Sequence, residues 1–514
     1  MVYNYIKEFF HMIVNTEVRD LTQDGKPVLN QWGVCKRFLC VSYVNSEGQI
    51  KYFTWIIPDE MMYQWKYATK KDTPDPVYQS WDFKGVVKEP IKGNFSEQRI
   101  HEMLLYLKEN YPDHEAIKEM DELNIPDISY LDIEVNVGED GFPEAADAKN
   151  QVNTISFCHG DTVWVLGLAP LSDADIKWIQ NEITKHCKDF DDDYKFEYRY
   201  HPNEISLLND IFYNFIAPAA CVSGWNYFGY DYPYLYNRAK LLNIDIKCLS
   251  PTQSFTNYKP QNPAKGCDVL KIPVHKCMFD YMEIYKKWDR SISPKVLNTL
   301  DWVSNRVLGV KKVVHELGFK EMWEQKPKEY VFYNAIDSVL IREIDKKLRT
   351  SSAFFGLANI MHTPALTAFS STRSSEIVQA EYLYKDHRVF PVVKKDKTES
   401  EGYEGAFVFE PIPGIYNNVL TLDYASLYPT TMRQFNISPD TFKFKNKNHV
   451  RQDNEIMCTN GAVYTKDFEG FIPKILTDFY NKRKAYKKEM KIAEKEKNHL
   501  IEILNSRKAK SAAV

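Results

Sequence analysis

Asp132 and Glu134 stand two apart in DISYLDIEVNV (127–137), a β-branched and apolar run bounded by Pro126 and by Gly138 and Gly141. In a strand this spacing turns both carboxylates to one face and sends Ile133 to the other, toward a core. Two carboxylates side by side are hard oxygen ligands suited to Mg²⁺ or Mn²⁺. Surface strands also carry D-x-E by chance, so the pair alone decides nothing. SGWNYFGYDYPYLYNR (223–238) adds Asp231 inside an aromatic run, where a carboxylate is costly unless something cationic satisfies it. In the helical pattern YVFYNAIDSVLIREIDKKL (330–348), Tyr333 and Asp337 stand at i and i+4 and share a face. A phenol there can orient a water that a metal has made nucleophilic. Taken singly, Asp231 also fits a turn aspartate, and Tyr333 with Asp337 fits a helix-surface pair.

A second carboxylate closes the apolar run NVLTLD at Asp423 and is followed by Ser426, Leu427, Tyr428 and Pro429. A strand that delivers Asp423 and turns at once into a helix leaves backbone N–H groups beside it, ready to receive a triphosphate. Pro429 fits the first helical turn. Further on, FYNKRKAYKKEM (479–490) sets Arg483 and Lys487 on one helical face, at i and i+4. From Asn481 to Lys510 the chain carries eleven Lys or Arg against four Glu. A solvated charged helix fits that basic run equally.

The elements that must position these groups follow from hydrophobic periodicity. The 514 residues, 44% hydrophobic and 14% aromatic, suffice for about three or four domains at roughly 100–200 residues each. The expected division is an N-terminal domain (1–126), a central α/β domain (127–365), a third unit (366–474) and a long helix (475–514). Strands are expected at FLCVSYV (38–44), YFTWIIP (52–58), DISYLDIEVNV and TVWVLGLA (162–169), and again at GAFVFEPIPG (405–414) and NVLTLDYASLYP (418–429). Helices are expected over SEQRIHEMLLYLKEN (96–110), 330–348 and from Ile475 onward.

No apolar run approaches the ~18 residues that span a bilayer, and MVYNYIKEFF lacks a signal-peptide core. A soluble, unexported protein with no membrane partner is expected. The nine cysteines are scattered without a C-x-x-C pair, which points to a reducing compartment and no structural zinc. A net charge of −4 excludes a simple DNA-coating module, so any nucleic-acid contact is local.

In order, D-x-E, then N-x(4)-D-x-P-Y from Asn226, then Y-x(3)-D from Tyr333 resemble the three exonuclease motifs of the proofreading domain of family B DNA polymerases. The resemblance implies an α/β multi-domain protein with an RNase H-like 3′→5′ exonuclease domain. There Asp132, Glu134, Asp231 and Asp337 would hold two Mg²⁺ (or Mn²⁺) ions about 4 Å apart. Tyr333 would orient the water and Asn226 would touch the terminal nucleotide. Lys311, in LGVKK, lies where phage members of the family place a lysine near the site.

NVLTLDYASLYPTTMRQFNISPDT resembles the first palm motif of the same family, most strongly that of the replicative polymerases of T-even-like phages, in SLYP and the trailing R-Q-x-N-I-S-P. The resemblance implies an incomplete palm with the start of a helical fingers element. Asp423 would bind metal, Ser426, Leu427 and Tyr428 would line the deoxynucleotide site, and Tyr428 would exclude a 2′-OH. Tyr403-Glu404-Gly405-Ala406 is similar to the Y-x-G-G/A element between exonuclease and palm, so Tyr403 and Gly405 would help pass the primer end. Arg483 and Lys487 would meet the γ- and β-phosphates. The family's second palm carboxylates, on a D-T-D hairpin, and its K-x(3)-N-S-x-Y-G helix do not follow Asp423.

The expected protein is therefore the N-terminal subunit of a split polymerase, with two ions in the exonuclease site and two in the completed polymerase site. Its expected partners are primer-template and single-stranded DNA, deoxynucleoside triphosphates, a C-terminal subunit on a second chain and, through that chain, a sliding clamp. Its expected location is the cytoplasm of an infected bacterium. A stand-alone 3′→5′ exonuclease or a truncated chain with an inactive palm, and a non-catalytic replication scaffold, remain the alternatives.

Overall fold

The computed structural model describes residues 13–23, 26–28, 35–91, 93–120, 124–138, 141–288, 298–310, 317–392 and 409–512, with side chains through 504. The chain divides into two compact units, Met1–Met61 with Met103–Ile377, and Met62–Glu102 with Val378–Val514.

In the first unit, the expected strands at 38–44 and 52–58 become Arg37–Val44 and Ile50–Ile56, which pair antiparallel with Ile13–Asp20 as the third strand. The larger sheet has six strands in the order Lys195–Tyr200, Thr162–Gly167, Val152–His159, Ile128–Val135, Cys221–Gly224, Cys277–Asp280. Val152–His159 runs antiparallel to both its neighbours, and the other pairings are parallel. Gly224 belongs where it is because a Cβ there would come 2.5 Å from the carbonyl oxygen of Leu131 on the adjacent strand.

The period of two along Ile128–Val135 separates two cores. Leu131, Ile133 and Val135 pack on one face with Val152, Ile155 and Val222. Tyr130 packs on the other with Val331, Ala335, Val339 and Ile344 of the helix Pro327–Leu348. Asp132 and Glu134 alternate with the first set, so they face that helix. The helix starts with Pro327 at a first-turn position and stops at Arg349, whose φ of 54° is left-handed. Periodicity suggests an amphipathic helix over 330–348, but the structure buries every residue from Tyr330 to Ile341. A helix closed in on all sides must satisfy its own polar groups, and here it does so partly against the strand.

Hydrogen bonds tie helix to strand at several levels. The Tyr130 hydroxyl donates to Asp345 Oδ2 at 2.5 Å, Asn334 Nδ2 donates to Asp132 Oδ2 at 2.8 Å, and the Tyr330 hydroxyl donates to the Val135 carbonyl at 3.4 Å. As strand numbers rise, helix numbers fall. The two elements therefore run antiparallel, in a register that brings Asp337 to the D-x-E pair.

The second unit holds a two-stranded ribbon, Tyr63–Tyr67 with Val86–Pro90, packed through Trp65 and Val86 on Val389. It also holds a three-stranded antiparallel sheet of Phe442–Lys445, Ala462–Thr465 and Glu455–Met457. Two helices follow the Asp423 segment, Leu427–Gln434 and the 42-residue Phe471–Ala512, which has no break at Asn498. Buried Asn436 fixes the turn after the short helix, donating to the carbonyls of Thr465 and Phe468 and accepting from Gly470 N. Arg388 binds the buried Asp440 carboxylate at 2.7 Å.

The strand expected to deliver Asp423 does not form. Residues 409–424 contain no strand, and Val419, Leu420 and Leu422 are exposed, Leu422 by 84%. β-branched composition favours a strand only where a neighbouring edge accepts its ladder, and among the described residues no strand pairs with this segment. Residues 405–408 of the other expected strand lie outside the described residues.

Candidate functional site

Asp132, Glu134 and Asp337 come together in the first unit, with carboxylate oxygens that all lie within 4.8 Å of one another. Asp132 is half-buried, while Glu134 and Asp337 are 6% and 2% exposed. Asp231 opens the helix Asp231–Leu241, and its Oδ1 accepts the N–H of Ile133, between the two strand carboxylates, at 3.1 Å. That bond lays the fourth carboxylate against the same stretch of strand.

The electrostatics follow from this crowding. Burial first, and then the charge of Asp132, push the Asp231 carboxyl well above the usual carboxylate range, against the pull of the Ile133 amide. Burial, followed by the charge of Glu134, likewise raises the Tyr330 phenol. Four carboxylates this close hold their charge only if a cation balances it. A donor set made wholly of carboxylate oxygens fits hard divalent ions.

Tyr333 is buried, its ring packed edge-on to Phe319 at 5.5 Å between centroids, in a cluster with Met322 and Tyr330. Asn226 adopts a left-handed φ of 60° in the turn before Asp231. With Asp132, Asp337, Trp225, Asn262 and Lys286 it lines a cleft of about 790 Å³. The site therefore opens to a space large enough for a nucleotide. Lys311, Tyr403 and Gly405 lie outside the described residues.

Three participants are missed by sequence reasoning. Asn334 holds Asp132 by its side-chain amide, and its only sequence signal is the i, i+3 spacing to Asp337. Lys286 puts a cation at the cleft, and Asn262 donates to Asn226 Oδ1 at 3.0 Å. The sequence offers no signal for either.

The second unit places its residues differently. Asp423 is exposed and, among the described residues, makes no hydrogen bond or ion pair; Tyr428 is 74% exposed and Leu427 half exposed. Ser426 has a left-handed φ of 54°, and its Oγ accepts from Arg483 Nη1 at 3.4 Å. Arg483 and Lys487 are both exposed on the long helix. The structure brings Ser426 to Arg483, but among the described residues no carboxylate cluster includes Asp423.

No helix among the described residues is long and apolar enough to cross a membrane. The family model for the exonuclease domain of DNA polymerase family B matches residues 88–291, and the model for DNA polymerase family B matches residues 365–510. The DNA-directed DNA polymerase of Escherichia phage RB69 is 28% identical over 434 residues, which cover 78% of this chain and 46% of that protein. The DNA-directed DNA polymerase of Enterobacteria phage T4 is 28% identical over 284 residues, 53% of this chain and 31% of that protein. The DNA polymerase delta catalytic subunit of Caenorhabditis elegans is also 28% identical, over 52% of this chain and 26% of its own length. The chain thus spans less than half the length of these relatives. With an exonuclease-domain match over Asp132, Glu134 and Asp231 and a polymerase match over the Asp423 segment, the chain carries two domains of DNA polymerase family B.

Proposed function

We propose that the first unit is a two-metal 3′→5′ exonuclease that removes nucleotides from DNA ends, and that the second carries part of a DNA polymerase site. The observation that carries the first half is the convergence of Asp132, Glu134 and Asp337, with Asp231 bonded to the backbone between the strand pair. The mixed sheet order, with its antiparallel central strand, supports an RNase H-like fold for residues 127–365, within the proposed domains 1–126, 127–365, 366–474 and 475–514. Mg²⁺ bound by these carboxylates would supply an activated water and charge neutralisation at the leaving 3′ oxygen. The chain's own residues do the rest. Asn334 fixes the Asp132 carboxylate, the Tyr333 phenol orients the attacking water, Asn226 grips the terminal nucleotide, and Lys311 would add a positive charge to that grip.

For nucleotide addition, Asp423 would bind metal, while Ser426, Leu427 and Tyr428 receive the deoxynucleotide and Arg483 and Lys487 its phosphates. Tyr403 and Gly405 would guide the primer end. Phosphoryl transfer needs a second metal-bridging carboxylate beside Asp423. We assign it to polypeptide outside these 514 residues, which would also contact a sliding clamp.

A 5′-labelled primer on a template, given Mg²⁺ with and without deoxynucleotides, tests this. Shortening without extension by the chain alone is expected. Extension by the single chain would sink the assignment of the missing carboxylate elsewhere, and no shortening would sink the exonuclease. In the completed polymerase, Tyr428→Ala is expected to admit ribonucleotides; unchanged sugar discrimination would remove Tyr428 from the site.

A further inference from the structure

Two acids that no proposed chemical step uses lie buried behind Asn226 and Asn262. Asp280 immediately precedes the helix Tyr281–Trp288, and its Oδ1 accepts the N–H of Glu283 at 3.3 Å, the arrangement of an N-cap. In a capping box, a glutamate at the position of Glu283 turns back to the N–H of the cap residue. Glu283 turns away instead. Its Oε1 accepts the backbone N–H groups of Gln261 at 2.7 Å and Asn262 at 3.0 Å. Its Oε2 is buried without a hydrogen-bond partner among the described residues. A buried carboxylate with one oxygen unsatisfied lowers stability. What Glu283 provides in return is the placement of two loop amides.

That placement reaches the cleft. Asn262 Nδ2 donates to Asn226 Oδ1 at 3.0 Å. Asp280 Oδ2 accepts Phe228 N at 2.9 Å, holding the far side of the turn in which Asn226 takes its left-handed φ. With its oxygen engaged by Asn262, Asn226 offers the cleft its Nδ2, a donor matched to sugar and phosphate oxygens. We propose that Glu283 is a positioning residue which, through Asn262, fixes the Asn226 amide for the terminal nucleotide of a DNA strand. This rests on the exonuclease reading above.

The test uses the full chain and a 5′-labelled single-stranded oligonucleotide. Kd is measured by fluorescence anisotropy in EDTA, where no shortening occurs, and KM and kcat are measured with Mg²⁺. Glu283→Ala is expected to raise Kd and KM about tenfold while kcat stays within about twofold, since a displaced contact weakens the grip without touching the reacting atoms. Glu283→Gln keeps Oε1 as an acceptor and is expected to restore binding. Asn262→Ala is expected to match Glu283→Ala, and the double variant to be no weaker than either, because both interrupt one chain of contacts. Binding unchanged in Glu283→Ala overturns the inference, as do additive losses or failure of Glu283→Gln to restore binding. If Glu283→Ala does not fold, Asn262→Ala decides: unaltered Kd overturns the inference and a weakened Kd supports it. Wild-type chain that shortens DNA while the variants bind like it removes only the role of Glu283. Wild-type chain that neither binds nor shortens removes the exonuclease and this inference together.

Discussion

Asp132 stands inside an apolar run and Asp423 closes one, and the structure treats the two aspartates oppositely. Asp132 sits on a paired strand, held by the Asn334 amide and crowded by Glu134, Asp337 and Asp231. Asp423 stands in water on an unpaired segment. In the first place burial leaves like charges with no solvent to spread them, so a divalent cation is the natural balance. In the second, water already satisfies the charge. An aspartate can serve as a metal ligand only with suitable neighbours, and among the described residues Asp132 has them while Asp423 does not.

The largest expected effect sharpens that contrast. Asp132→Ala should slow strand shortening on the order of 10³-fold or more, because one of the carboxylates proposed to hold the metals would be lost. A labelled-oligonucleotide time course measures it, and a loss under tenfold would break the assignment. Next, Ile133→Ala should cost about 2–5 kcal/mol in denaturant unfolding, since this buried side chain anchors the strand that carries both acids.

One buried carboxylate in each unit should also respond oppositely to pH. Burial first, and then the charge of Glu283, raise the Asp280 carboxyl to about 7, so between 3.8 and about 7 the folded state binds more protons than the unfolded one. Its contribution to stability therefore falls as pH rises through that window. Lys443 and His449 hold Glu455 down to about 2, so that group contributes stability above 4.5 and loses it as pH falls toward about 2. Local hydrogen exchange at Cys277–Asp280 and at Glu455–Met457 would show the opposed slopes; Asp280→Asn and Glu455→Gln should each flatten its own. The smallest effects belong to the open segment. Leu422→Ser should change stability by no more than about 0.5 kcal/mol, and Asp423→Ala should leave shortening by this chain within about twofold. A large effect of either would mean that the segment is engaged.

Part of the first cluster is legible in the sequence: the strand period turns Asp132 and Glu134 to one face, and the resemblance adds Asp337, which the structure brings to them. The period of two correctly sends Ile133 to the opposite core. What the sequence conceals depends on contacts across long separations. Nothing local distinguishes Asn334 from the other polar residues of its helix, and nothing local marks Glu283 as the holder of a loop more than twenty residues upstream. Cys221 and Cys277, far apart in the chain, meet as register partners of parallel strands. Around Asp423 the expectation fails for another cause: an apolar, β-branched pattern predicts a strand, but a strand is a relation between two segments, and among the described residues none pairs with this one.

The antiparallel seating of the Pro327–Leu348 helix on the Ile128–Val135 strand also governs when the first site can come into being. Asp132 and Asp337 are separated by about 200 residues, which a ribosome making roughly 5–20 residues per second takes about 10–40 s to add. During that interval the nascent chain exposes three of the four acids but lacks the helix that completes their cluster. The nuclease activity proposed above would thus be deferred until nearly the whole first unit has been synthesised, and an unfinished chain would lack it.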